Sequence, residues 1–132
     1  KNNVKVLKDE NILINNEIYI LGRKDAEVRN RMSAQDLVKD LDKSKYIIDI
    51  NHQPTDYDNE SKSNIDLVVS GHTHGGQFIP LGLLSPYVSE NDSIYGYKKI
   101  NNTNFIVTSG ISDWELKLKT GCISEYVLIN IN

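Results

Sequence analysis

Asp66-Leu67-Val68-Val69-Ser70-Gly71-His72-Thr73-His74-Gly75-Gly76-Gln77 joins a short apolar, β-branched run to a glycine-flanked turn that carries two imidazoles. The apolar run has the length and composition of a buried strand, so the spacing predicts histidines where a strand ends and a loop begins. Ligands commonly gather at that edge of a sheet. Neutral imidazole is the commonest protein metal ligand, and small flanking residues let a backbone approach a cation or an anion closely.

A second stretch repeats the arrangement: Tyr46-Ile47-Ile48-Asp49-Ile50 reads as a strand and runs directly into Asn51-His52-Gln53-Pro54. All 3 histidines of the chain lie in these two places. A bare His-x-His can be a polar turn whose rings satisfy nearby carbonyls, and a lone His52 would ordinarily be a structural residue. Two strand ends bearing histidines together favour a metal site. Imidazoles at i and i+2 in a tight loop can face neighbouring cations about 3.5 to 4 Å apart, the spacing of two-metal hydrolytic sites.

His52 followed by Gly71-His72-Thr73-His74 resembles the last two motifs of the calcineurin-like metallophosphoesterases, a lone His and then Gly-His-x-His. His52-Gln53-Pro54, the Gly75-Gly76-Gln77 tail, Gly82-Leu83-Leu84-Ser85-Pro86 and the Tyr95-Gly96-Tyr97 pair resemble the bacterial membrane-associated phosphodiesterase branch. The resemblance runs from about Val4 to Ile131. It implies that His52 and His72 ligate one divalent ion and His74 a second, the ions being Mn, Fe or Zn. The family's Asp-x-His, Gly-Asp-x-x-Asp and Gly-Asn-His-Glu/Asp motifs do not occur here, so roughly half of the metal shell is present. The leaving-group acid is expected in the missing N-terminal part, which leaves no catalytic residue to name in this chain and no substrate-binding residue assigned.

With 132 residues and 15.0 kDa, the chain is one domain's worth, enough to bury roughly two thirds of its unfolded surface. A hydrophobic content of 39% and a charged content of 25% exclude a disordered or fibrous chain. A net charge of −3 in mixed signs offers no basic field for nucleic acid, so a phosphate-bearing substrate would have to be attracted by metal ions. Cys122 has no partner for an internal disulfide and reads as a buried strand thiol. No apolar run is long enough to span a bilayer. The chain opens at Lys1 without Met and enters a strand almost at once, which predicts a piece of a longer protein, cytoplasmic or held at a membrane by an upstream anchor.

In chain order, Val4–Leu7, Ile12–Ile14 and Ile18–Leu21 read as a three-stranded meander with turns at 9–11 and 15–17. Residues 22–31 read as a surface loop. Ser33 caps a helix of about 33–41 with its apolar stripe at Ala34, Leu37, Val38 and Leu41. Residues 55–64 fit a short helix or a loop, and Asp66–Ser70 a strand. Residues 78–93, with Pro80, Gly82 and Pro86, predict a functional loop. A hairpin about 101–103, a loop over 110–121 and a final strand over 123–131 complete the chain. Asn51 and Gln53 read equally as supports for the His52 ring or as caps of the strand end. Asp56, Asp58 and Asp113 read as surface carboxylates, Lys117 and Lys119 as a solvated edge opposite Trp114, Leu116 and Leu118. Tyr95, Tyr97, Phe78 and Trp114 read as core.

These readings predict an α+β domain of mixed β-sheet with one or two helices, equivalent to the C-terminal half of a four-layer αββα metallophosphoesterase sandwich. Residues 1–132 form the C-terminal part of that domain. An unrelated small α/β domain is the alternative. The expected activity is metal-dependent phosphoesterase action, with a phosphate ester as substrate. The isolated chain is expected to be inactive, to lack its missing N-terminal half as a partner, and to form a homodimer. The competing class is a non-catalytic metal-binding or protein-interaction module, disfavoured because structural zinc usually takes four protein ligands.

Overall fold

Asn15 and Asn16 both adopt left-handed backbone (φ 50° and 61°), the conformation that lets the three-residue turn 15–17 reverse the chain. That turn pairs β1 (Glu10–Ile14) with β2 (Ile18–Gly22) antiparallel. The computed structural model describes residues 4–80 and 90–131. After β2 come α1 (Ala34–Val38), β3 (Tyr46–Ile50), α2 (Tyr57–Ser61), β4 (Leu67–Ser70), β5 (Gly96–Ile100) and β6 (Thr103–Val107). They build a six-stranded sheet in the order β1-β2-β3-β4-β6-β5, parallel at its centre and antiparallel at both edges. The fold is the α+β mixed sheet with two helices that the sequence predicts, compatible with a metallophosphoesterase C-terminal half.

Both helices are single short turns that could not persist alone in water, so packing holds them. Ser33 Oγ accepts the Asp36 N–H at 3.1 Å and starts α1. β2, β3 and β4 advance sideways one strand at a time, and right-handed crossovers moving one way lay their helices on one face. On that face Leu21, Ile47, Val68, Phe105 and Val107 meet Ala34, Val38, Tyr57 and Ile65, with Phe105 stacked on Tyr57 at 3.9 Å. Each of the larger aliphatic and phenyl side chains contributes about 1.5–3 kcal/mol by leaving water.

The opposite face carries no helix among the described residues. The β2–β3 register puts Ile18, Ile20, Ile48 and Ile50 there, and β1 adds Ile12 and Ile14. A groove of about 810 Å³ runs over Ile12, Ile14, Ile20 and Ile50, bounded by Val6, Leu7 and His52. Ile50 is half exposed at 50% and Ile14 at 41%.

Two expected strands differ. Val4–Leu7 forms no strand: the chain there runs across the sheet face instead of along an edge, with Val6 and Leu7 lining the groove over β1 and β2. Residues 123–131 form no strand. They alternate in sequence but have no ladder partner among the described residues, and Tyr126 and Leu128 stand 84% and 79% exposed. The loop expected over 78–93 lies largely outside the described residues, as does Gly82-Leu83-Leu84-Ser85-Pro86.

Candidate metal centre

β3 and β4 are adjacent and parallel, with Ile50 opposite Val69, so their carboxyl ends release the chain side by side. His52 and His72 each lie two residues beyond a strand end, and the Gly71 N–H donates to the His52 carbonyl at 3.2 Å. Their rings touch: His72 Nδ1 is 3.2 Å from His52 Nε2, with centroids 4.9 Å apart and planes at 75°. Desolvation, then the neighbouring His52, lower the pKa of His72, which keeps that ring neutral and its lone pair available.

His74 stands on the other side of the turn, with Nδ1 at 3.3 Å from the carbonyl oxygen of Ser112. A carbonyl only accepts, so Nδ1 carries the proton and Nε2 keeps the lone pair. The turn is conformationally costly: His72 and His74 both have positive φ, 64° and 49°, followed by Gly75 at 63° and Gly76 at 72°. Non-glycine residues in this region cost of order 1–3 kcal/mol and cluster where function overrides local preference. Gly75 is additionally required by space, since a Cβ there would lie 2.9 Å from Ser109 Cβ and 3.1 Å from Cys122 Cβ. Thr73 Oγ1 pins the turn to the Ile94 carbonyl at 2.6 Å.

The three predicted ligands thus divide into a touching pair and a third ring held apart. Their donor chemistry fits divalent transition ions, but their number does not close a site. Among the described residues, no three of His, Cys, Asp and Glu gather to hold a cation.

Asn51 and Gln53 do not reach the His52 ring. Asn51 is fully buried, donating from Nδ2 to Glu60 Oε1 at 2.8 Å and accepting from Arg31 Nη2 at 2.7 Å. Gln53 donates to Asp25 at 2.8 Å and accepts the Ala26 N–H. Both therefore tie the start of the His52 loop to the 22–31 loop and to α2. That 22–31 loop is less superficial than its charge suggests: Arg23 is buried, 2.8 Å from Glu60 and 3.0 Å from Asp56. Asp56 is accordingly a half-buried ion-pair partner instead of a free surface acid. Asp58 is exposed as expected, 2.6 Å from Lys62, and Asp113 is partly covered near Lys119 at 3.9 Å.

Sequence reasoning missed this buried charge cluster and also Asp25. Backbone donation from Glu27, then the Gln53 amide, hold the Asp25 carboxyl below its ordinary pKa. Only Asp49 left a legible signal, an acid at a core-facing alternation point of an apolar strand. It is completely buried and neither of its oxygens has a partner among the described residues.

Three further expectations are corrected. Cys122 is half-buried in irregular chain, its Sγ–H donating to the His74 carbonyl at 2.8 Å. Lys119, not the leucines, is the covered side chain of its segment: its ammonium donates to the Ser109 and Gly110 carbonyls, whereas Leu116 and Leu118 are exposed. Tyr95, Tyr97 and Trp114 are likewise outside the core at 52%, 65% and 60% exposure. The two-faced alternation read for 114–119 fails because that segment is a series of tight turns.

No protein-family model matches the chain, and no solved structure does. Curated proteins do match. An uncharacterized metallophosphoesterase of Campylobacter jejuni is 34% identical over 134 residues, covering 98% of this chain and 35% of its own length. An uncharacterized metallophosphoesterase of Helicobacter pylori is 35% identical over 74% of this chain and 28% of its own. One from Aquifex aeolicus is 32% identical over 80% of this chain and 41% of its own. The chain therefore spans well under half the length of the relatives it matches. Likeness of this depth, running through both histidine-bearing strand ends and nearly the whole of its own sequence, places the chain in the metallophosphoesterase family.

Proposed function

We propose that the protein to which this chain contributes hydrolyses phosphate esters, phosphodiesters in particular, with two divalent ions of the Mn, Fe or Zn type. The observation that carries this reading is the His52–His72 contact at 3.2 Å across two parallel strand ends, with His74 on the same turn. Imidazole nitrogens 3.2 Å apart are close enough to share one ion, and His74 offers Nε2 separately. His52 and His72 would hold one ion and His74 part of the shell of the other. Bound divalent ions lower the pKa of a coordinated water and neutralise charge growing on the phosphoryl oxygens. The strained turn keeps the rings in place before substrate arrives, so ordering them costs nothing during turnover. The bridging carboxylate and the leaving-group acid belong to the rest of the protein, as does any membrane anchor. No helix among the described residues is long and apolar enough to cross a membrane.

A non-catalytic metal-binding or interaction module remains the second reading, favoured by the incomplete ligand set among the described residues. Full-length protein assayed on an aryl phosphodiester separates the two. Activity that falls by two or more orders of magnitude in His72→Ala and His74→Ala, and is restored to wild type by Mn²⁺ after chelation, fits the enzyme. Equal turnover in the variants would sink it.

A further inference from the structure

Gln77 is 5% exposed at the foot of the histidine turn, and nearly all its polar atoms reach a single segment. Nε2 lies 3.0, 3.2 and 3.1 Å from the carbonyl oxygens of Trp114, Leu116 and Leu118, and Oε1 accepts the Trp114 N–H at 2.9 Å. Its own carbonyl accepts from Thr120 and Gly121 at 2.9 and 3.1 Å. That segment has no sheet partner. It is two successive three-residue turns, Leu116 N–H on Trp114 O at 2.6 Å and Leu118 N–H on Leu116 O at 2.7 Å. Such turns leave alternate carbonyls converging on one side, where a single amide group meets all three. Two residues earlier in the same segment is Ser112, whose carbonyl faces His74 Nδ1, while the Gln77 N–H donates to the His74 carbonyl at 3.2 Å.

We infer that Gln77 is a positioning residue that clamps residues 112–118 against the histidine turn, so that the Ser112 carbonyl holds His74 in the Nδ1–H tautomer with Nε2 as its one ligating nitrogen. The consequence for metal binding rests on the phosphoesterase reading. The clamp and the tautomer do not. Gln77→Glu keeps the shape and the acceptor but turns the donor group into a carboxylate facing three carbonyls, and Gln77→Leu removes both functions. Each should release the segment and let His74 exchange between tautomers.

The test is long-range ¹H–¹⁵N spectroscopy of the imidazoles in the metal-free 132-residue chain at about pH 8, where histidine is neutral. Wild-type His74 should show a protonated Nδ1. In both variants its two nitrogens should shift towards a common averaged position, with His52 and His72 unmoved. The 114–118 amides should lose exchange protection roughly ten-fold or more. Protected amides in β3 and β4 report that the sheet stands. An unchanged His74 in a folded variant overturns the inference. If neither variant folds, the wild-type spectrum decides: Nδ1–H sustains the tautomer assignment, and Nε2–H or averaged nitrogens refute it. An inactive full-length protein with the expected His74 signature would defeat the phosphoesterase reading and leave the clamp intact.

Discussion

Asp49 should make this protein lose stability as pH rises through the mildly acidic range. The carboxyl is completely buried, has no hydrogen-bond partner among the described residues, and feels the charges of Arg23 and Arg31, which favour ionisation, and of Asp56 and Asp9, which oppose it. Burial pushes it from 3.8 up to about 6, the two arginines offsetting only part of that. Because the folded-state pKa lies above the unfolded one, the folded chain binds more protons between them, and stability falls with rising pH. The loss begins near pH 4 and is complete above about pH 6. At 1.36 kcal/mol per pKa unit, a rise of about two units corresponds to about 3 kcal/mol, a large share of a domain's usual stability. Glu60, buried and pushed up to about 8, extends the decline in the same direction towards neutral pH. His72 acts oppositely below pH 6.5, since its lowered pKa makes the folded chain bind fewer protons. The comparison of wild type with Asp49→Asn cancels the His72 contribution and the part of the Glu60 contribution that comes from burial; the part that the Asp49 charge adds to Glu60 has the same sign as the effect sought. Urea unfolding followed by circular dichroism at several pH values from 4 to 7 should show the wild type losing about 3 kcal/mol relative to the variant. A difference that stays constant with pH, or moves the other way, would refute the burial argument.

Other perturbations have equally definite outcomes. Phe105→Ala removes a ring stacked on Tyr57 and fully buried, and should cost about 3–5 kcal/mol in urea unfolding. Ser33→Ala deletes the α1 cap and should cost about 1 kcal/mol by the same measurement, with an effect on β-sheet signals no larger than that implies. The isolated chain should associate through its bare isoleucine face, as apolar patches and open edges recruit partners. Light scattering at micromolar concentration should give a mass above 15.0 kDa that Ile50→Lys restores to monomer; a wild-type monomer would count against that face as an interface. After exhaustive dialysis the chain should retain fewer than two metal ions per molecule by elemental analysis and show no phosphodiesterase activity, whereas two retained ions with turnover would contradict the division of ligands.

What was readable from residues alone is what local chemistry decides. Asn15-Asn16 specifies a hairpin because those side chains tolerate left-handed backbone, and Ser33 with Asp36 specifies a helix start. Apolar runs ending in His52 and in His72-Thr73-His74 pointed to histidines at strand ends, where the fold places them. Strand alternation failed where no partner existed. Val4–Leu7 and 123–131 have suitable side chains, yet a strand is a ladder, and its hydrogen bonds come from a neighbour that local sequence does not encode.

Tertiary structure alone decided which groups meet. Arg23, Asn51, Asp56 and Glu60 are scattered along the chain and become one buried network only because β2, β3 and α2 converge beneath the His52 loop. Gln77 and the 114–118 carbonyls lie 37 to 41 residues apart, so nothing in their spacing announces the clamp. The sequence determined that imidazoles would stand at two strand ends, because periodicity and turn residues act over a few positions. The parallel pairing of β3 with β4 decided that His52 and His72 touch while His74 turns to Ser112, because only chain packing sets distances between segments remote in sequence.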